Sequence, residues 1–241
     1  MSSFYHAFFF DPLYNSLIFL FRVLPWADAG VIVVLLTIIV RLVLYPLSRK
    51  AVMSQVRMAE IAPELNGIKE KYKGNSEEQA RRTLALYKEK GVNPFSGILV
   101  LIIQIPIILA LYQIFIKLPA INSSLLYSFI SAPASINTIF LGLVDISGKS
   151  LILALLAAVS TYLQFLVSAK GQKENKGNSF GDNLAKSMQA QMKYVFPVIM
   201  FFISYQISGV IGLYFFATNL FSIAQELFVR RKLAPTSKIL G

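Results

Sequence analysis

Long stretches without a charge decide what this chain can become. Residues 95–116 and 150–169 contain no Asp, Glu, Lys or Arg. An α-helix rises 1.5 Å per residue, so about 20 apolar residues cover roughly 30 Å of hydrocarbon. Residues 29–47 carry a single charge, Arg41. The stretch from Tyr194 to Val229 is too long for one crossing. It breaks at Gln206, Ser208 and Gly209, which reads as a short span, a tight turn and a further span. Only 15% of the residues are charged, against about one quarter in a soluble domain. The sequence predicts an all-α polytopic membrane protein with five core transmembrane helices.

The expected order is an N-terminal outer segment over 1–28 and spans over 29–48, 93–117, 150–169, 194–207 and 208–229. Between them lie a cytoplasmic hairpin over 49–92, an outer segment over 118–149, a cytoplasmic loop over 170–193 and a basic tail over 230–241. Leu13 to Leu24 is too short to cross and contains Asn15 and Arg22, which suits an amphipathic helix at the interface, closed by Pro25. Residues 1–21 lack the basic n-region of a signal peptide.

Lys and Arg set the orientation. Ten lie between Arg49 and Lys90, five between Lys170 and Lys193, and four beyond Val229. The opposite loops hold only Arg22, Lys117 and Lys149. The positive-inside rule then puts the N-terminus outside and the C-terminus in the cytoplasm, a parity that five spans satisfy. The net charge of +11 reads as cytoplasmic anchoring and not as direct nucleic-acid binding.

Within the large basic segment, Ile61, Leu65, Ile68 and Tyr72 form one helical stripe. Gly74 and Asn75 mark a turn, and Ser76 with Gln79 makes a capping-box pattern. Ala80, Leu84 and Tyr87 form a second stripe that ends at Gly91. Two matching stripes predict an antiparallel helical hairpin.

Arg41 sits about six residues, or roughly 9 Å, from the cytoplasmic end of its span. Placing Arg mid-span costs on the order of 2.5–3.5 kcal/mol. The only carboxylate in the spans is Glu226, near the cytoplasmic end of the last. Arg41 either snorkels to lipid headgroups or faces a wet cavity. Thr37 and Tyr45 share its face. Gln104 and Gln113 lie on the second span; Ser160, Gln164 and Ser168, with Thr161, on the third. Tyr214, Thr218 and Ser222, with Asn219 and Gln225, lie on the fifth. Each alone is ordinary interhelical glue. Stripes on several spans beside an unpaired cation favour a shared hydrophilic groove.

Acid–base chemistry is poorly supplied. The one histidine is His6, cysteine is absent, and no span carries a carboxylate pair or a phosphate-binding loop. Histidine-dependent proteolysis, aspartyl proteolysis and metal-assisted hydrolysis lack their groups. No enzyme, cofactor or metal site is expected.

The run from Thr37 through Arg41 to Tyr45-Pro46-Leu47-Ser48 resembles the arginine-bearing span of YidC-type membrane protein insertases, the family that includes the oxidase-assembly and Albino insertases. So do Gly91-Val-Asn93-Pro94-Phe-Ser-Gly97 with Gln104-Ile-Pro106, and Leu213-Tyr214 with Asn219 to Gln225. The resemblance implies a groove open to cytoplasm and lipid and closed outside, with Arg41 supplying its charge, Thr37 and Gln164 lining it and Tyr214 and Phe215 in its client-contacting region; the polar stripes add Gln104, Ser160 and Thr218 to its expected lining. It implies a mobile cytoplasmic hairpin, nascent membrane proteins as clients, and the ribosome, signal-recognition targeting machinery, secretion channel and membrane lipids as partners. It also implies a bacterial cytoplasmic membrane. Phe215 stands where the family usually has Trp or Tyr, and Ser208-Gly209-Val210 replaces a proline-containing turn. No large outer domain is expected within this sequence, and the short tail after Arg231 speaks against strong tail-mediated ribosome binding. The rival expectation is a small anion or solute transporter with Arg41 in its binding site, although no repeat relates the halves.

Overall fold

The computed structural model describes residues 3–93, 95–116, 121–170, 187 and 189–237. Pro94, Lys117, most of the expected loop over 170–193 and Lys238 lie outside these residues.

Ser3 to Phe10 is helical, with a π-helical turn over His6–Phe10, and leads into α1, Asp11–Val23. The sequence places α1 on a membrane surface, yet its Asn15 is almost fully buried. Asn15 Nδ2 donates to the Asp11 and Leu125 carbonyls and its Oδ1 accepts from Tyr127 N–H. The helix is wedged beneath the outer segment, because a buried amide must satisfy several hydrogen-bonding positions at once.

α2 spans Ala29–Val43. Asp28 caps it, one oxygen accepting from Val31 N–H at 2.9 Å and the other from Leu141 N–H at 3.0 Å. Such a cap contributes about 1 kcal/mol, and here it also fastens the outer segment to the helix. α2 stops at Val43, short of the expected 29–48. The chain bends by 66° into α3, Tyr45–Glu60. Pro46 explains the break: it lacks an N–H and its ring would clash with the carbonyl four residues back.

α4, Ala62–Lys71, and α5, Ser76–Glu89, pack on each other, and Glu64 in the first turn of α4 pairs with Lys90 just past the end of α5. Two details differ from the sequence reading. The cap of α5 is Asn75, whose side chain accepts from Glu78 N–H, and not Ser76. The buried stripe contains Leu86, while Leu84 is 63% exposed and Ala80 is also exposed. Leu86 packs with Ile61 and Val92, and Leu65, Ile68 and Tyr87 lie against them. The C-terminus of α5 explains the choice. Gly91 has φ +61°, Gly91 N–H bonds the Lys88 carbonyl, and Val92 N–H bonds the Tyr87 carbonyl. This Schellman closure folds Val92 back onto the face that carries Leu86. Tyr72 lies apart from that cluster, with Lys71 and Arg82 beside its ring. Arg81 and Arg82 hydrogen-bond Glu78 and hold its carboxyl below the ordinary range. Glu64 holds the Lys90 ammonium above its own.

α6 spans Ser96–Phe115. After it, the outer segment forms a two-stranded antiparallel hairpin, β1 Ile139–Phe140 with β2 Val144–Asp145. It is the exception to an otherwise helical chain among the described residues. α7, Leu151–Ala169, and α8, Phe196–Ile207, pack with α9, Gly209–Ser237. The chain is already helical at Gln189, through a π turn over Gln191–Val195 that feeds α8. Ser208 is extended and separates α8 from α9, at the turn expected there.

By length and composition, Leu151–Ala169 and Gly209–Lys232 can each cross a membrane, and the bent pair of α2 and α3 is a third candidate. The expected spans over 93–117 and 194–207 fall on α6 and α8, which are apolar. Among the described residues, Ile102–Phe115 and Phe196–Ile207 are shorter than that length. Large apolar side chains face outward on all of these helices, among them Leu42, Ile105, Leu155, Phe202 and Leu220. That is the surface a helix presents to lipid.

The main core lies toward the segment that joins α6 to α7, where Leu17, Ile32, Ile114, Ile146, Leu153 and Leu213 meet. Ala29 N–H bonds the Asn137 carbonyl, Gly209 N–H the Gly148 carbonyl and Val210 N–H the Ile146 carbonyl. The loop between α6 and α7 thereby caps the starts of α2 and α9.

At Gly212, α9 lies directly on α7: a Cβ there would stand 2.8 Å from the Leu153 carbonyl oxygen. Gly212→Ala is expected to lower the thermal unfolding midpoint in detergent, at an overpacking cost of about 1–3 kcal/mol. Gly67→Ala, where a Cβ meets nothing within 4 Å, is expected to leave that midpoint unchanged or raised. Equal behaviour of the two variants would refute the close contact.

Candidate functional site

Three helices bring polar groups to one level. Arg41 on α2 is partly buried, and its guanidinium interacts electrostatically with Tyr214 on α9. The Tyr214 hydroxyl accepts from Gln104 Nε2 on α6 at 2.5 Å. Tyr214 is 3% exposed, and that bond orients its hydroxyl. Arg41 makes no hydrogen bond or ion pair with any described residue. It is a cation beside a polar, oriented hydroxyl with no fixed counter-ion among the described residues.

Sequence spacing anticipates part of this arrangement. Thr37 lies one turn before Arg41 but is buried, its hydroxyl donating to the Val33 carbonyl at 2.7 Å. Thr218, one turn beyond Tyr214, is buried as well. Phe215 is half-buried, its ring 5.4 Å from that of Tyr214 in an edge-on arrangement. Gln164 on α7 is half-buried and has no hydrogen bond to a described residue.

Ser160 departs from its expected place. Asn219 Nδ2 on α9 donates to Ser160 Oγ and to Thr161 Oγ1, both at 2.9 Å, and all three side chains are buried. Ser160 therefore clasps α7 to α9 and does not line a groove. A hydroxyl buried between helices finds a partner across the contact, because lipid offers none.

A second polar cluster ties the far ends of α3, α7 and α9. Glu226, 3% exposed, accepts from Arg230 at 2.8 and 3.0 Å and from Ser168 Oγ at 2.5 Å. Arg230 also donates to the Ser168 and Lys170 carbonyls. Gln55 Nε2 donates to the Ser168 carbonyl and Gln225 Nε2 to Ser48 Oγ. The Glu226–Arg230 pair at i,i+4 is a signal readable from sequence. Ser48 and Gln55 carry none, because their partners are distant in the chain.

The model of the family described as 60Kd inner membrane protein matches residues 20–236. A membrane protein insertase YidC of Clostridium perfringens is 34% identical over 195 residues, covering 81% of this chain and 75% of that protein. That of Wolinella succinogenes is 30% identical over 227 residues, covering 94% of this chain and 38% of the longer relative. A YidC of Clostridium tetani is 29% identical over 207 residues, covering 86% of this chain and 84% of that protein.

Replacing Asn219 by Ala removes the clasp without touching Arg41, Gln104 or Tyr214. The variant is expected to lose about 0.6–1.7 kcal/mol of stability, read from unfolding in mixed micelles. Asn219→Ala combined with Ser160→Ala should lose little more than Asn219→Ala alone. Additive losses would show that the two side chains act separately.

Proposed function

The chain belongs to the 60Kd inner membrane protein family, that of YidC-type membrane protein insertases, and from that premise we propose that it inserts client membrane proteins by way of Arg41. It carries short polar tails of its clients into and across the bacterial inner membrane and releases their hydrophobic segments into lipid. Five spans enclose the groove in this reading, with the N-terminus outside and the C-terminus in the cytoplasm. The family match displaces the anion-carrier alternative, which no repeat supports.

The observation that carries the reading is an Arg41 with no fixed counter-ion among the described residues, on a level with Gln104 and Tyr214. Magnitudes explain why one cation suffices. A carboxylate near mid-membrane costs roughly 2.5–3.5 kcal/mol. At about 4 Å from a guanidinium, with an effective dielectric near 20, it gains about 4 kcal/mol. The two nearly cancel, so an acidic tail is admitted but not trapped. Thr37, Gln164 and Thr218 supply the polar surroundings on either side, and Phe215 offers a ring to the client's apolar segment. That segment leaves along the outward apolar faces of α7 and α9. The basic hairpin of α4 and α5, with Ile61, Leu65, Ile68 and Tyr87 on its inner side, Tyr72 beside Lys71 and Arg82, and Leu84 exposed, is the surface offered to the ribosome, targeting machinery and secretion channel.

Reconstitution in liposomes tests this with a single-span client bearing an acidic N-terminal tail. Protease protection of the tail is expected with the wild type and with Arg41→Lys, and a loss of at least about tenfold, roughly 1.4 kcal/mol, with Arg41→Ala. Undiminished protection with Arg41→Ala would overturn the charge mechanism. Absence of protection with the wild type, across several clients, would overturn the function.

A further inference from the structure

α3 is basic and amphipathic: Arg49, Lys50 and Arg57 precede its first acidic residue, Glu60. It leaves α2 through the 66° bend, just past the end of that apolar helix, and packs against α9 near Lys232. A cleft of about 210 Å³ lies there, lined by Tyr45, Arg49 and Met53 of α3 and by Phe228, Val229 and Lys232 of α9.

The cleft has two unsatisfied cations and no carboxylate in its lining. Neither Arg49 nor Lys232 makes a hydrogen bond or ion pair with a described residue. Glu226, the acidic group near this end of α9, is taken up by Arg230 and Ser168. The Lys232 ammonium rests 4.5 Å from the centre of the Phe228 ring, and Phe228 is half-exposed beside exposed Leu227. The cleft therefore joins a doubly cationic end to an apolar wall, where the apolar stretch Gly209–Lys232 terminates.

We propose that this cleft binds the headgroup of an anionic phospholipid. Arg49 and Lys232 hold the phosphate, the Tyr45 hydroxyl is a further donor, and the acyl chains run along Phe228 and Leu227. The apolar wall is what selects a lipid: a soluble anion gains nothing from it. Clustered basic side chains at the end of a span attract acidic headgroups in proportion to their number. The site is separate from Arg41 and its occupancy does not depend on insertion.

Native mass spectrometry of the full chain, released from nanodiscs of equal phosphatidylglycerol and phosphatidylcholine with matched acyl chains, tests the site. Wild type is expected to retain phosphatidylglycerol over phosphatidylcholine. Arg49→Ala with Lys232→Ala should lose that preference by about fivefold for each charge removed, while Arg49→Lys with Lys232→Arg keeps it. Lys73→Ala with Lys88→Ala removes the same charge elsewhere and is expected to change nothing. An equal loss in that control would overturn the site in favour of diffuse attraction. Unchanged retention in the Arg49/Lys232 variant, or displacement of the lipid by inorganic phosphate, would overturn it as well.

Discussion

Everything in this structure hangs on backbone laid against backbone between α7 and α9. Where Gly212 meets the Leu153 carbonyl, no side chain separates the helices, so their relative height is set by the main chain. In lipid no hydrophobic force distinguishes helix from surroundings, and close packing with a few polar clasps has to hold helices together. The bonds from Asn219 to Ser160 and Thr161 are such a clasp, under two helical turns beyond Gly212. α9 is thus fixed before α2 and α6 are considered. It then presents Tyr214 to Gln104 and Arg41, so the level of the site follows from the level of that contact.

The two ends of the assembly are held by different means. At the end where the loop between α6 and α7 packs, main-chain bonds join Gly209 to Gly148, Val210 to Ile146 and Ala29 to Asn137, and Phe140 fills the space above Gly30. Gly30 has to be glycine, since a Cβ would stand 2.2 Å from the Phe140 ring. At the other end, α3, α7 and α9 are joined through the side chains of Ser48, Gln55, Gln225 and Glu226. Side chains change rotamer on far shorter timescales than a packed main chain rearranges.

Much of this was legible in the sequence because lipid demands length and charge asymmetry that few other environments impose. The apolar runs mark α6, α7 and the break at Ser208, and the stripes mark the hairpin. Arg41, Gln104 and Tyr214 stand out because polar groups in apolar runs are costly. Other features stay hidden for identifiable reasons. Residues 45–60 fold as a helix although their charges mask its pattern, and Pro46 there acts as a first-turn proline. Leu84 looks like core by spacing, but the closure at Gly91 turns Leu86 inward. Ser160 cannot be separated from a groove residue by periodicity, because a clasp and a groove both require polar residues every four positions. Only the partner across the contact distinguishes them.

That division of the polar residues bears on how Arg41 can stay unpaired. A guanidinium in a span tends to recruit whatever carboxylate can reach it, and α9 carries one in Glu226. Glu226 is instead bound by Arg230, one turn away, and by Ser168, both on the side of the bundle away from Tyr214. The hydroxyls and amide that could have drawn water deep between α7 and α9 satisfy one another. What remains at the level of Arg41 is a tyrosine hydroxyl already engaged by Gln104. The carboxylate of α9 is committed to Arg230 and Ser168, and Arg41 pairs with no described residue, which is the condition that the proposed role sets.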